Sequence, residues 1–165
     1  MNTGILKSKP FTVTLHRGYL IEIPYNIAIK FYEKGHKRVQ LIAIFENNEL
    51  KIHAALNKRK DHFFIMFGKN NQKSIGVKKD DTFEVQLVED TTKYGVEMPE
   101  ELDAVLLSDY DAFKIFESLT MGKKRSIIYM ISRFKTSQMR IDKSLLLTEN
   151  LKRGIRDQRE LLKPF

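Results

Sequence analysis

The chain has 165 residues, with 29 lysines and arginines against 21 aspartates and glutamates, and it contains no cysteine. A chain of this length folds as one compact unit or as a small domain with an appendage, and it needs no covalent cross-link. The lack of cysteine excludes disulfides, thiol nucleophiles and thiolate metal sites. No apolar run reaches the ~18 residues of a membrane span, and residues 1–9 lack the apolar run of a signal peptide, so we expect a cytoplasmic protein that does not contact membranes.

Alternating apolar and polar residues predict a β-rich first half. The expected strands are 11–15, 20–23, 39–45, 50–54, 62–67 and 83–88. Of these, 39–45 is a longer apolar run, and 62–67 is apolar on both faces, as expected of a strand inside a closed or doubly covered sheet. Six short strands at this spacing, separated by turn residues, are typical of a small barrel. One short helix is expected to interrupt them, with Asn26 as its N-cap and Gly35 near its end.

The apolar period changes to that of helices after residue 90. The expected helix boundaries are Pro99, Ser108 or Asp109, Thr120, Thr136 or Ser137, and Gly154. The sequence therefore predicts an α+β protein. A small N-terminal β-barrel domain over 9–90 is followed by a C-terminal helical region over 91–165.

Four segments of the second half carry a recognisable pattern: 94–101 (YGVEMPEE), 116–129 (FESLTMGKKRSIIY), 135–140 (KTSQMR) and 150–154 (NLKRG). Together they resemble the bacterial YdeI/OmpD-associated family, also labelled bacteriocin-protection proteins. The first half contains the stretches IEIP and IGVKKDD. It is similar to the domain of unknown function that often precedes that family's helical region.

The resemblance implies a fold for the first half. Such N-terminal domains are similar to a double-split β-barrel, the class that includes swapped-hairpin transcription regulators. In these domains a glycine–aspartate pair usually opens the last strand, whereas this chain has Asp80 and Asp81 there. The family label describes a phenotype and implies no biochemical activity, so a DNA-binding role inferred from the barrel is an analogy.

The motifs of common enzymes and cofactor sites are absent from the sequence. The four histidines lack the short spacings of a zinc site, although His53 and His62 lie on expected neighbouring strands. Residues 121–126 resemble the end of a phosphate-binding loop, but Glu117 stands where that loop needs its first glycine. Adjacent carboxylates point to opposite faces of a strand and diverge on a helix, so they are not expected to form the acid/base pair of a hydrolase. The three such pairs are Asp80–Asp81, Glu89–Asp90 and Glu100–Glu101. We therefore expect a non-enzymatic protein without a cofactor or metal.

Charge is distributed unevenly along the second half. Residues 99–119 contain six acidic residues and one basic residue, whereas residues 120–165 contain twelve basic and four acidic residues. One interpretation is that the two segments pack together and partly neutralise each other, with the remaining cations serving solubility. The other is that the basic segment forms a surface that faces an anion.

A stripe on the third expected helix supports the second interpretation. Arg125, Tyr129 and Arg133 recur every fourth residue, away from the apolar face of Ile127 and Ile131. Cations interleaved with an aromatic ring are typical of nucleic-acid surfaces. The candidate anion- or nucleic-acid-binding residues are Lys123, Lys124, Arg125, Tyr129, Arg133, Lys135, Arg140 and Lys143.

These observations leave three functions open. The first is a non-enzymatic binding protein for a small anionic ligand or an acidic protein partner, acting through the basic helical face or the barrel mouth in stress or bacteriocin tolerance. The second is a nucleic-acid-binding protein that uses the basic helical hairpin 120–153. The third is an enzyme with dispersed catalytic residues. The sequence does not distinguish a monomer from a dimer.

Overall fold

The computed structural model describes residues 4–165. The chain divides into two compact units, Met1–Thr91 and Thr92–Phe165, which we call the β unit and the helical unit. Strands followed by helices make this an α+β protein, and the fold class expected from the sequence is confirmed. Residues 1–3 of the segment inspected for a signal peptide lie outside the described residues.

The β unit holds a single antiparallel sheet of seven strands in the order β4-β3-β7-β1-β2-β6-β5. The strands are β1 (Phe11–His16), β2 (Leu20–Ile23), β3 (Arg38–Phe45), β4 (Asn48–Ala55), β5 (Asn57–Arg59), β6 (His62–Met66) and β7 (Thr82–Glu89). Two helices interrupt them, α1 (Tyr25–Tyr32) and α2 (Lys69–Ile75). All six strands expected from the sequence are present.

The sheet curls because its two edge strands are consecutive in the chain. β4 and β5 lie at opposite ends of the strand order, and only Leu56 separates them. Leu56 is 3% exposed, and its backbone N–H bonds the carbonyl of Lys37 at 2.8 Å. The curled antiparallel sheet agrees with the barrel-like N-terminal domain that the sequence predicts.

Period-two alternation places the apolar core on the inner face of this sheet. Leu41 on β3 lies opposite Leu87 on β7, and both are fully buried. Phe63 and Ile65 on β6 are also fully buried, whereas Met66 on the same strand is 54% exposed. β6 is therefore covered on one face and open to solvent at part of the other, rather than buried on both.

Three local features of the β unit differ from the expectation. β5 is three polar residues, all exposed, and α2 is mostly polar, so neither carries an apolar period. Asn26 is wrong as an N-cap because it lies inside α1. Pro24 stands at the cap position, where its carbonyl accepts from the N–H groups of Ile27 and Ala28 at 3.0 Å.

The turn before β7 keeps a glycine-like backbone without glycine. Asp80 has a φ of 71°, in the left-handed region that glycine adopts most readily and that aspartate tolerates. The neighbouring Asp81 side chain accepts a hydrogen bond from the Lys78 backbone N–H at 2.7 Å. The aspartate pair therefore forms the turn before β7 without a glycine.

The helical unit contains α3 (Glu100–Ser108), α4 (Tyr110–Ser118), α5 (Met121–Ser132) and α6 (Ser137–Lys152). Each start after the first has a side-chain cap. Asp109 accepts from the N–H of Ala112, Thr120 from Lys123 and Thr136 from Met139. The caps at Asp109, Thr120 and Thr136 are the expected ones, and Gly154 follows α6 with a φ of 91°, as expected of a helix stop.

Four helices and the C-terminal segment share one apolar core in this unit. Leu102, Phe116, Ile131 and Leu147 are fully buried there. Asn150 on α6 is 1% exposed, and its side-chain amide donates to the Leu161 carbonyl at 2.8 Å and to the Lys163 carbonyl at 3.0 Å. This amide holds the last residues of the chain against α6.

Candidate anion-binding face

The orientation of α5 is fixed by its apolar side chains. Ile127 and Ile131 are 2% and 0% exposed, so this side of the helix faces the core. Residues three or four positions apart share a helix face, so the opposite side carries Tyr129 and Arg133. Tyr129 is 44% exposed and Arg133 is exposed. Tyr129 and Arg133 of the stripe expected from the sequence therefore face outward, whereas Arg125 is half-buried.

Lys124, one of the candidate residues, does not face solvent. Its side chain is 9% exposed, and its Nζ lies 3.3 Å from Oε2 of Glu117. The same Nζ lies 5.7 Å from the centroid of the Tyr94 ring. A buried ammonium group needs such partners because a lone charge in the interior loses its hydration without compensation. Lys124 thus belongs to the interior of the helical unit.

Glu117 on α4 is the centre of this ionic cluster. It accepts hydrogen bonds from Nζ of Lys93 at 3.0 Å, from the Tyr94 hydroxyl and from Lys124. Burial alone would raise the pKa of Glu117, but the hydrogen bonds from Tyr94, Lys93 and Lys124 outweigh it and lower that pKa. Burial, reinforced by the hydrogen bond to Glu117, raises the pKa of Tyr94. The cluster joins α4 and α5 to the segment before α3.

Arg140, another candidate residue, clamps α6 to α3. Its Nε bonds Oε1 of Glu101 at 2.9 Å and its Nη2 bonds Oε2 of Glu101 at 3.1 Å. Its Nη1 donates to the Phe134 carbonyl at 2.8 Å. Bidentate pairs of this kind are geometrically specific. The Arg140 guanidinium is therefore engaged within the chain.

Glu101→Gln should remove part of the acid sensitivity of the fold. Hydrogen bonds from Arg140, from the Glu101 backbone and from Ser137 lower the pKa of Glu101 from 4.5 to about 2. Ionised Glu101 therefore stabilises the folded state fully above pH 4.5, and this contribution is lost as the pH falls towards 2. We expect Glu101→Gln to lower the Tm by several degrees at neutral pH, with a difference from wild type that shrinks below pH 4.5.

Thermal melts of both proteins across this pH range test the Glu101 prediction. Glu100→Gln is the matched control, because Glu100 is on the same helical turn, is exposed, and has no ion-pair partner among residues 4–165. The control should follow the wild-type pH profile. A Glu101→Gln profile that runs parallel to wild type at every pH would contradict the assignment.

Three further candidate residues contact uncharged groups, so their positive charge is not neutralised. Lys123 Nζ donates to the Arg156 carbonyl at 2.8 Å, and Arg125 Nη1 lies 3.5 Å from the Tyr94 carbonyl. Lys143 Nζ lies 5.6 Å from the centroid of the Phe134 ring. Carbonyl groups and rings carry no net charge, so these three side chains still contribute positive potential at the surface.

The remaining candidates are exposed at the C-terminal end of α5. Arg133 and Lys135 are exposed, and neither has a carboxylate within ion-pair distance among residues 4–165. We call Arg125, Tyr129, Arg133 and Lys135 the basic stripe. Its cations have no carboxylate within ion-pair distance in the described chain, and the same holds for Lys123 and Lys143 outside the stripe.

The sequence allowed two interpretations of the acidic segment 99–119 and the basic segment 120–165, and pairing between them was one of the two. Three of the six carboxylates in residues 99–119 each bind a cation from residues 120–165. The pairs are Glu101–Arg140, Asp109–Lys152 and Glu117–Lys124. The excess of acidic residues before α5 was the signal for this pairing, but it did not identify the partners. The structure pairs Lys124 and Arg140 with carboxylates, and it leaves Lys123, Lys143 and the cations of the basic stripe without such a partner among residues 4–165.

Three of the four histidines of the β unit have a carboxylate partner among residues 4–165. His53 Nδ1 lies 2.9 Å from Asp90, His62 Nδ1 lies 2.7 Å from Glu22, and His36 Nε2 lies 3.3 Å from Glu89. Within residues 4–165, no group of three histidine or carboxylate side chains is placed to hold a metal ion. His53 and His62 act as strand residues bonded to nearby acids, the role favoured by their sequence pattern.

A family model describes the segment that contains the basic stripe. Residues 95–154 match the family Bacteriocin-protection, YdeI or OmpD-Associated. The resemblance seen in the sequence is thereby confirmed for this segment, which holds the four helices and nearly all of the four motif stretches. No curated protein and no solved structure matches the chain. None of the helices described in residues 4–165 has the length and apolar character of a membrane span.

The description of the matched family names bacteriocin protection and specifies no ligand. The basic stripe and the Glu117 cluster both use residues of the matched segment. Tyr94 and Lys93 in the cluster lie just before it.

Proposed function

We propose that this protein is a non-enzymatic binding protein that engages an acidic partner through the basic stripe, in the protective setting that the family description names. The observation that carries the proposal is the exposure of Arg133 and Lys135 without carboxylate partners among residues 4–165. Other cations of the same segment, such as Lys124 and Arg140, are held by carboxylates.

An acidic protein surface fits this arrangement better than a small anion does. Arg125, Tyr129 and Arg133 follow one side of α5 and Lys135 comes just after it, so the charges of the stripe are spread over about two helical turns. Two grooves beside α3 contain Glu100 and Glu101, and one of them also contains Glu97 and Arg140, which leaves carboxylates in excess in both. Negative linings of this kind repel a small anion, whereas an extended partner can contact the outward stripe without entering them.

Charge reversal of the stripe tests this proposal. We expect a fluorescein-labelled polyglutamate peptide to bind the wild-type protein at low salt and to be released as salt rises. Arg133→Glu/Lys135→Glu should weaken the binding about tenfold or more, because two attractive contacts become repulsive. Fluorescence anisotropy across a salt series measures both effects.

The matched control carries the same change in net charge on the β unit. Lys69 and Lys79 are exposed, and Lys69→Glu falls in the first turn of α2, where an acidic residue is favourable. Lys69→Glu/Lys79→Glu should bind the peptide within about twofold of wild type. Equal losses in the two double variants would show that only overall charge matters and would overturn the assignment to the stripe.

Nucleic acid is the second candidate partner, and the observation that favours it is the exposed ring of Tyr129. The ring is 44% exposed, on the same helix face as Arg133. A base that stacks on such a ring contributes roughly 1–3 kcal/mol. Tyr129→Ala should therefore weaken single-stranded DNA binding about tenfold, whereas Tyr129→Phe should retain it. Polyglutamate binding that responds to Tyr129→Ala as strongly as DNA binding does would remove this candidate.

A further inference from the structure

A groove between α3, α4 and α6 combines apolar side chains with an excess of carboxylates. Val105, Tyr110 and Leu145 supply its apolar surface, and Asp109, Asp111, Glu149 and Lys152 supply its charged groups. The three helices pack on one another around it. Three carboxylates against one lysine give the lining a negative charge, which is opposite in sign to the basic stripe.

Two of the three apolar side chains that line this groove are strongly exposed to solvent. Tyr110 is 70% exposed and Leu145 is 49% exposed. Leu145 lies on α6 between the fully buried Ser144 and the half-buried Leu146, so the helix presents it outward. Single exposed apolar residues are ordinary, but two that line the same groove are typical of a contact surface for a partner.

The charges of the groove are only partly neutralised within the chain. Lys152 Nζ lies 2.7 Å from Asp109 and 2.7 Å from Glu149, so one cation serves two carboxylates. The hydrogen bond from Lys152 lowers the pKa of Asp109, which keeps this carboxylate ionised. Asp111 is exposed and has no ion-pair partner among residues 4–165. The lining therefore retains unbalanced negative charge at neutral pH.

We propose that this groove binds a basic amphipathic helix of a partner protein. The apolar face of such a helix would lie against Tyr110 and Leu145, and its lysine or arginine side chains would face Asp111 and Glu149. Lys114 Nζ already lies 5.4 Å from the centroid of the Tyr110 ring, so this ring accepts a cation in the chain itself.

A labelled model peptide with leucine and lysine at helical spacing tests the groove. Fluorescence anisotropy should show binding to the wild-type protein at moderate salt. The variant Asp111→Lys/Leu145→Asn reverses the charge of one exposed side chain and makes one exposed apolar side chain polar. Because both side chains are exposed, we expect the fold to persist, and a thermal melt checks this. The affinity of this groove variant for the peptide should be lower than that of wild type by about tenfold or more.

The control places the same two changes on the β unit, where Glu33 and Ile44 are also exposed. Glu33→Lys/Ile44→Asn should bind the peptide within about twofold of wild type. Equal weakening in the groove and control variants, or no binding to wild type, would overturn the proposal. Sedimentation of the protein alone provides the second check. A concentration-dependent dimer that Asp111→Lys/Leu145→Asn abolishes would assign the groove to a second copy instead.

Discussion

Replacing Glu117 by alanine should lower the free energy of unfolding by about 3 kcal/mol. The change leaves Lys124 in the interior, with a side chain only 9% exposed and no counter-charge beside it. The Tyr94 hydroxyl loses its acceptor at the same time. A buried charge without a partner is among the costliest defects that one substitution creates. Urea denaturation followed by far-UV circular dichroism measures the loss.

The reverse deletion provides the control for the Glu117 prediction. Lys124→Met removes the buried charge and keeps an unbranched apolar chain, while Glu117 retains its hydrogen bonds from Lys93 and Tyr94. We expect this variant to lose about 1 kcal/mol or less. In the combined variant Glu117→Ala/Lys124→Met, part of the cost of Glu117→Ala should be recovered. Costs that simply add would contradict a direct interaction between the two side chains.

Phe116→Ala should destabilise the helical unit by about 4 kcal/mol. Phe116 is fully buried in the core of this unit, and its ring meets the Tyr94 ring edge-on with centroids 5.6 Å apart. The substitution removes the transfer free energy of the ring and leaves a cavity that the four helices only partly close. Since whole domains are stable by roughly 5–15 kcal/mol, this loss would remove much of the stability of the unit.

Two milder substitutions serve as comparisons for the Phe116 prediction. Phe116→Leu keeps most of the volume and should cost about 1 kcal/mol. Leu107→Ala removes an apolar side chain that is 73% exposed and should change the free energy by less than about 0.5 kcal/mol. Urea denaturation of the three variants should give this order. A cost for Phe116→Ala no larger than that for Leu107→Ala would contradict the packing described here.

Much of the fold could be predicted from local patterns. Six strands followed from period-two alternation, and Asp109, Thr120 and Thr136 were identifiable as caps because their side chains act within three residues. β5 and the position of Pro24 escaped prediction. β5 is formed by pairing with β6 rather than by its own polar residues, and the entry into α1 uses a backbone carbonyl in place of the Asn26 side chain.

The candidate site was predictable only in part, because some of its contacts join different helices. Helical spacing alone placed Tyr129 and Arg133 on the outward face of α5. The neutralisation of Lys124 and Arg140 depends on Glu117 and Glu101, which belong to other helices. Spacing along one helix does not specify such partners, because they follow from how the helices pack.

The central claim is that the basic stripe is the surface that binds an acidic partner. Titration of ¹⁵N-labelled protein with polyglutamate, followed by amide NMR, tests it most directly because it locates the contact without any substitution. We expect shifts concentrated around residues 125–135, which vanish at high salt. Shifts confined to the β unit, or spread evenly over all exposed cations of the chain, would contradict it.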